Sequence, residues 1–132
     1  MTLFRDRMEG TVKKFIGGLL LSLAMSIPAL AFENGDWVLG QWQGGRYWYP
    51  GVVESSTQSS VTIQYDDGDR ATQQSNQVKP YDWRVGSRVE CNWQNGGKWY
   101  PGVIALLDKE TLGIKYDDGD TEVTKTAGCR SR

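Results

Sequence analysis

The chain has 132 residues and no histidine, which excludes Ser-His and Cys-His catalytic pairs as well as histidine metal sites. Residues 1–31 hold four of its 15 basic and two of its 16 acidic side chains, so the rest of the chain has 11 and 14 and a net charge of −3. Nucleic-acid binding requires a basic surface, so we predict no nucleic-acid partner and mildly favour a cationic one.

The first 31 residues are typical of a secretory signal peptide. Lys13 and Lys14 precede an apolar run, residues 15–25, which is too short to span a bilayer comfortably. Pro28 and the small-residue site 29–31 follow. We predict cleavage after residue 31 and a periplasmic or secreted protein that does not contact the membrane afterwards; an uncleaved anchor is the alternative.

The rest of the chain consists of two copies of one module. The segment WQGGRYWYPGVV at 42–53 returns as WQNGGKWYPGVI at 93–104, and YDDGD occurs at 65–69 and 116–120. Every match has the same offset, 93 − 42 = 51 positions, so the copies align without a gap. Repeats of this kind indicate duplicated structural units. The predicted divisions are a signal peptide over 1–31, a first repeat over 32–81 and a second repeat over 82–132.

The first strand of each copy alternates between two kinds of position. Every second residue is predicted to share one face: Val38, Gly40 and Trp42 in one copy, and Val89, Cys91 and Trp93 in the other. The residues between them differ freely, as Leu39 and its counterpart Glu90 do. We therefore predict that these intervening positions form the outer face.

Turn residues predict four further strands in each copy. Gly44-Gly45 and Asn95-Gly96-Gly97 are predicted to supply the positive φ values of a hairpin, and Asp-Gly marks a second hairpin. The predicted second, third and fourth strands are 48–54, 61–65 and 70–73 in copy one and 99–106, 112–116 and 121–124 in copy two, followed by short elements centred on Val78 and Cys129. This pattern, without helical periodicity, predicts an all-β fold of two tandem five-stranded SH3-like barrels.

Three further features concern the prolines and tryptophans of the second strands and the linker between the copies. Pro50 and Pro101 lack a donor for the strand ladder, so they are predicted at a strand edge or a bulge. Trp48 and Trp99 have the opposite parity to the neighbouring tyrosines, so they are predicted to pack the barrel or the contact between modules. The short linker 79–85 favours a fixed arrangement of the two modules.

These residues resemble the Tudor domain: a Trp, six residues, Tyr-x-Gly, an apolar strand, and then an aromatic-Asp-Asp-Gly turn. The chain beyond residue 31 looks like a tandem Tudor protein of a bacterial, exported type. The resemblance implies an aromatic cage for methylated lysine in each copy, formed by Trp42, Tyr49, Tyr65 and Asp67 and by Trp93, Tyr100, Tyr116 and Asp118. Aromatic faces attract a poorly hydrated methylammonium, and a carboxylate adds charge complementarity.

The chain departs from the family just after the turn, where many methyl-lysine readers have an aromatic residue. Asp69 and Asp120 occupy this position. The resemblance then implies three aromatic walls and a more acidic rim in each cage. Such a rim also suits a lower methylation state, arginine or a free amine.

Several functions fit this reading. We predict a non-enzymatic module without a cofactor that binds a methylated or cationic side chain, peptide or small amine. The alternatives are a cell-envelope module that contacts wall peptides or a partner protein, and an architectural domain whose aromatic residues only fill the barrels. A calcium site at the YDDGD turns is disfavoured, because the spacing and the distal Glu of a calcium loop are absent. A signal peptide also argues against a histone ligand.

A disulfide between Cys91 and Cys129 is also predicted. They are the only two cysteines, and export would place them where disulfides persist. In an SH3-like barrel the first strand and the last short element lie side by side. The counterparts in copy one are Gly40 and Val78, a small residue that fits against a larger apolar one.

Overall fold

The computed structural model describes residues 32–132, so the predicted signal peptide lies outside the described residues. These residues form ten strands in two five-stranded sheets. The strands of the first repeat are β1 Trp37–Gln41, β2 Trp48–Ser56, β3 Ser60–Tyr65, β4 Arg70–Gln74 and β5 Val78–Pro80. Those of the second repeat are β6 Arg88–Asn92, β7 Trp99–Asp108, β8 Thr111–Tyr116, β9 Thr121–Lys125 and β10 Cys129–Arg130. Within this part of the chain, no helix is both long and apolar enough to cross a membrane.

The two sheets have the same strand order. It is β4-β3-β2-β1-β5 in the first and β9-β8-β7-β6-β10 in the second. Neighbouring strands are antiparallel, and the ladder between the second and third strands shifts register at Val53/Ser55 and again at Ile104/Leu106, the same place in each repeat. The fold is all-β, with two tandem five-stranded SH3-like barrels, as predicted.

Pro50 does not lie where the sequence predicts. Its strand β2 is central, between β1 and β3, and the bulge is further along, at Val53/Ser55. The β2–β3 ladder begins only at Gly51, and the Pro50 carbonyl accepts a hydrogen bond from the Asp66 N–H at 3.0 Å. Pro50 therefore lies just beyond the end of the β2–β3 ladder. At this position no residue of β3 requires a hydrogen bond from its backbone nitrogen.

The prediction that Leu39 lies on an outer face is wrong. Leu39 is fully buried and belongs to the core of the second repeat, together with Trp83 and Ile104. The reason is that the second repeat covers this face of β1. Trp48 packs against the same core, which confirms its predicted place at the contact between modules.

The two repeats are also joined by backbone hydrogen bonds. The Trp48 N–H donates to the Ser131 carbonyl at 2.8 Å, and the Ser131 N–H donates to the Trp48 carbonyl at 3.0 Å. The linker packs into the second repeat through the buried Trp83, whose indole N–H donates to Ser131 Oγ at 3.1 Å. Ser131 is thus held by both repeats.

The predicted disulfide is confirmed. Cys91 and Cys129 lie opposite each other on β6 and β10, with an S–S distance of 2.07 Å and Cα atoms 4.1 Å apart. Gly40 and Val78 are paired in the same way in the first repeat. A Cβ atom at position 40 would lie 2.5 Å from Tyr65 Oη, so the first repeat has no room for the cysteine there.

Replacing Leu39 tests the shared core. Leu39→Ala should lower the free energy of unfolding by about 2–5 kcal/mol, because it removes a buried side chain and leaves a cavity. Leu106→Ala is the matched control, since Leu106 is 56% exposed. Urea denaturation measures both, and equal effects would contradict the packing of Leu39 in the second repeat.

Removing the disulfide tests its contribution to stability. Cys91→Ala with Cys129→Ala should cost about 3–4 kcal/mol, because the bond restricts the unfolded chain over a separation of 38 residues. A reducing agent should destabilise the wild type and leave the double variant unaffected. If the reducing agent did not change the denaturation midpoint of the wild type, the predicted contribution of the disulfide would be refuted.

Candidate ligand-binding site

The structure brings the predicted site residues of each repeat together around an open cavity. We call these cavities cup one and cup two. Cup one has a volume of about 230 Å³ and is lined by Trp42, Tyr49, Tyr65, Asp67, Asp69 and Trp99. Cup two has a volume of about 240 Å³ and is lined by Trp93, Tyr100, Tyr116, Asp118 and Asp120.

In each cup a tryptophan and a tyrosine meet at nearly a right angle. The Trp42 and Tyr65 ring centroids are 5.5 Å apart at 79°, and those of Trp93 and Tyr116 are 5.6 Å apart at 83°. Tyr65 and Tyr116 are buried members of the two cores. They therefore fill the barrels and also form a wall of the cups.

Both buried tyrosines are neutral phenols at physiological pH. Burial, helped by the charge of Asp67, raises the pKa of Tyr65 to about 12. The pKa of Tyr116 is also raised, first by burial and then by its hydrogen bond to Glu122, which accepts the phenol proton at 2.6 Å. Each tyrosine therefore offers a bound cation the face of a neutral aromatic ring and not a phenolate.

The turn after each cage tryptophan differs from the prediction. Positive φ values occur at Gln43 and Gly44 but not at Gly45, which has φ −73°. In the second repeat they occur at Gln94, Asn95 and Gly97 but not at Gly96, which has φ −80°. The chain forms a single 3-10 turn over Trp42–Gly44 and over Trp93–Asn95, so the left-handed residues come earlier than in a two-residue hairpin.

Side chains of the fourth strands hold these turns. The Gln94 N–H donates to Glu122 Oε2 at 2.9 Å, and the Gln43 N–H donates to Gln73 Oε1 at 3.4 Å. The buried Gln73 also donates to the Gln41 carbonyl. Each repeat thus fixes its cage tryptophan with an acceptor from the fourth strand, although the acceptors occupy different positions.

The rims of the cups are acidic. The Asp69 N–H donates to Asp67 Oδ1 at 3.0 Å, and the Asp120 N–H donates to Asp118 Oδ1 at 2.9 Å, so the turns fix the carboxylates of Asp67 and Asp118. None of these four carboxylates forms an ion pair with a lysine or arginine of residues 32–132. Their negative charge is therefore available to a bound cation.

Trp99 is a site residue that the cage pattern did not predict. It belongs to the second repeat but lines cup one, where its ring centroid is 6.4 Å from that of Tyr49 at 85°. Trp99 and Tyr100 are consecutive in β7 and face opposite sides, so one strand serves both cups. The alternation of side chains along the strand predicted that Trp99 packs either the barrel or the contact between modules. Trp99 lies at the contact, where it forms this wall of cup one.

A second contact between repeats fixes the acidic turn of cup one. Thr126 Oγ1 donates to Asp66 Oδ2 at 2.6 Å, and Thr126 is buried. The counterpart of Asp66 in the second repeat, Asp117, instead accepts two hydrogen bonds of 2.8 Å from Arg88. Cup one is therefore composite, whereas all lining residues of cup two come from its own repeat.

In the described part of the chain, no three Cys, Asp or Glu side chains cluster so that they could hold a metal ion. The carboxylates of Asp67 and Asp118 accept hydrogen bonds within their own turns.

Comparison with known proteins gives structural likeness alone. No family model matches the sequence, and no curated protein matches it. Two similar solved structures are the ADCP1 tandem Agenet domain 3-4 and the AGD34 segment of AGDP1 from Arabidopsis thaliana, each 17% identical. They cover 76% of this chain and 80% and 82% of their own chains, with TM-scores of 0.36 and 0.37. At these scores the likeness bears on neither ligand nor activity, and the fold assignment rests on strand order and pairing.

The contrast between Asp66 and Asp117 predicts opposite pH effects. Burial raises the pKa of Asp66 above 3.8, although the Thr126 hydrogen bond opposes this shift. The folded state then binds the proton more tightly than the unfolded state, so this residue reduces stability as the pH rises above 3.8 through the raised pKa. The stability of Asp66→Asn relative to that of the wild type should therefore increase as the pH rises from acidic to neutral.

Asp117→Asn is the matched control. Arg88 lowers the pKa of Asp117, so its contribution to stability is present above the ordinary pKa and disappears as the pH falls through the lowered one. The Asn variant should therefore lose stability relative to the wild type as the pH rises from the lowered pKa to 3.8. Urea denaturation from strongly acidic to neutral pH covers both windows, and parallel curves for the two variants would contradict the assignment.

Proposed function

We propose that the protein is a non-enzymatic module that binds methylated or otherwise cationic groups in its two cups. The observation that carries this proposal is the combination, in each open cup, of aromatic walls with carboxylates that have no ion-pair partner among residues 32–132. A purely architectural set of aromatic residues would not require an acidic rim around a cavity.

The size of the cups favours a side-chain head group or a small amine. Cavities of about 230 and 240 Å³ are smaller than the roughly 300–1,000 Å³ of pockets for drug-sized ligands. A methylated ammonium is poorly hydrated, and each aromatic face attracts it by roughly 0.5–2 kcal/mol. The ligand class is therefore a methylated lysine or arginine side chain in a peptide, or a free quaternary amine.

The two cups differ in a way that favours different cations. Cup one has four aromatic walls because Trp99 joins Trp42, Tyr49 and Tyr65. Such a cup suits a quaternary ammonium, which has no N–H to donate. Cup two has three aromatic residues, of which Tyr100 is 42% exposed. With one aromatic wall fewer, this cup suits an ammonium that keeps an N–H for Asp118 or Asp120.

The setting of this activity is also part of the proposal. The predicted signal peptide supports an exported, bacterial-type protein in the periplasm or outside the cell. There the cationic ligand would be an amine, a modified envelope protein or a wall peptide. Tetramethylammonium is the simplest probe, because it presents the head group without any peptide.

Replacing the cage tryptophans tests the proposal. Trp42→Ala and Trp93→Ala should each weaken tetramethylammonium binding in one cup by roughly 1–3 kcal/mol, because a cation–π wall is lost. Chemical-shift titration measures each cup separately. Trp37→Ala is the control, since Trp37 is 41% exposed and lines neither cup. A double variant that stays folded and binds as well as the wild type would refute the cage assignment.

Ionic strength gives a second test. Because the rims are acidic, the affinity for tetramethylammonium should fall as salt rises from low to physiological concentration. Replacing Asp67 and Asp69 by Asn should flatten this dependence for cup one and leave cup two unchanged. If the affinity of the wild type for tetramethylammonium did not depend on the salt concentration, the envelope-contact or architectural alternatives would be favoured.

A further inference from the structure

One arginine of the last strand packs behind the walls of cup one. The Arg130 guanidinium carbon lies 3.7 Å from the Tyr47 ring centroid and 4.2 Å from that of Trp99. The side chain is only 16% exposed. Arg130 therefore stacks against the Trp99 wall, with a second aromatic ring, Tyr47, also in contact with the guanidinium.

The same guanidinium contacts a second wall. Its Nη1 donates to Tyr49 Oη at 3.2 Å, while Nε and Nη2 donate to Glu90 Oε1 at 3.2 and 3.1 Å. Trp99 and Tyr49 come from different repeats, so one side chain links the two walls that meet across the interface. An arginine has the planar fork needed to stack and to donate in several directions at once.

The backbone around Arg130 is fixed on both sides. The preceding residue, Cys129, is bonded to Cys91. The following residue, Ser131, exchanges two backbone hydrogen bonds with Trp48 of the first repeat. The position of the guanidinium is therefore set by the covalent link within one repeat and by the strand contact to the other.

The duplicated sequence supplies an internal comparison. The counterparts of Arg130 and Trp99 in the first repeat are Lys79 and Trp48, and the Lys79 ammonium lies 4.7 Å from the Trp48 ring centroid. Both repeats thus place a cation on the second-strand tryptophan. Trp48, however, packs against the core of the second repeat and lines no cup. The arginine occurs where the tryptophan is a wall.

We propose that Arg130 is a positioning residue of cup one, which holds Trp99 and Tyr49 at the angle that encloses a quaternary ammonium. This inference rests on the proposed function of the cups. Arg130 does not line the cavity, so it acts through the two rings it contacts. Its loss should weaken cup one and spare cup two.

Arg130→Lys is the sharpest variant, because it keeps the charge, removes the planar fork and reproduces the residue of the first repeat. In a Trp93→Ala background, where only cup one remains, it should weaken tetramethylammonium binding roughly two- to thirtyfold, the range expected for one misplaced aromatic wall. In a Trp42→Ala background, the affinity of cup two should be unchanged. Equal losses in both cups would overturn the inference, because they would indicate a general structural role.

Arg132→Lys is the matched control. Arg132 also pairs with Glu90, at 3.4 Å, and lies 5.4 Å from the Tyr47 ring centroid, but it is exposed and has no contact of this kind with Trp99. Its replacement should leave cup one unchanged. If it weakened cup one as much as Arg130→Lys does, the special role of Arg130 would be refuted.

The Trp99 indole signal in a nitrogen–proton NMR spectrum gives a readout that needs no ligand. It should shift in Arg130→Lys and stay in place in Arg132→Lys, and Trp99→Phe assigns it. If tetramethylammonium does not bind the wild type, the proposed function fails, and the indole signal still decides whether Arg130 positions the wall. An unmoved signal in Arg130→Lys would overturn the inference.

Discussion

The contact between the two repeats gives them a shared core and shared backbone hydrogen bonds. Barrels of this size bury only a modest share of their surface and are marginal alone. Here Leu39 of the first repeat completes the core of the second, and Trp48 and Ser131 join the repeats by backbone hydrogen bonds. The two barrels are therefore parts of one folded unit, with little freedom to move independently.

This contact turns a symmetric sequence into an asymmetric pair of sites. The same cage residues recur at an offset of 51 positions, and each set surrounds a cavity of similar size. Only cup one has a wall from the other repeat: the second repeat contributes Trp99 and holds the acidic turn of cup one through Thr126. A duplication that begins with identical sites can acquire two specificities in this way, since each copy has a different neighbour.

Local sequence was sufficient to predict the strands, and the resemblance to the Tudor domain implied every residue that lines the cups except Trp99. Period-two patterning and Asp-Gly turns can be read from neighbouring residues, and the common offset from comparing the two copies. The pairing of Cys91 with Cys129 follows once the barrel is assumed. Leu39, Pro50 and Trp99 were not predictable in the same way. Whether Leu39 is buried or Trp99 lines a cup depends on the other repeat, and Pro50 depends on where the β2–β3 ladder ends.

The turns after the cage tryptophans illustrate a different limit. Gly44-Gly45 has the composition of a two-residue hairpin, but Gln43 adopts φ 51° and donates its N–H to Gln73, which is distant in sequence. The second repeat achieves the same with Glu122, from a different position on the fourth strand. An alignment of the two copies cannot reveal this equivalence, since it lies in the contact and not in the matched position.

The proposed function requires that the cups recognise a positive charge on an apolar head group. Choline and its neutral analogue, in which a carbon atom replaces the ammonium nitrogen, have nearly the same shape and differ in that charge. Calorimetric titration of the wild type with both compounds separates cation recognition from simple apolar burial. We expect choline to bind at least roughly tenfold more tightly than the neutral analogue, given the contribution of several aromatic faces. Equal affinities for the two compounds would contradict the proposed function.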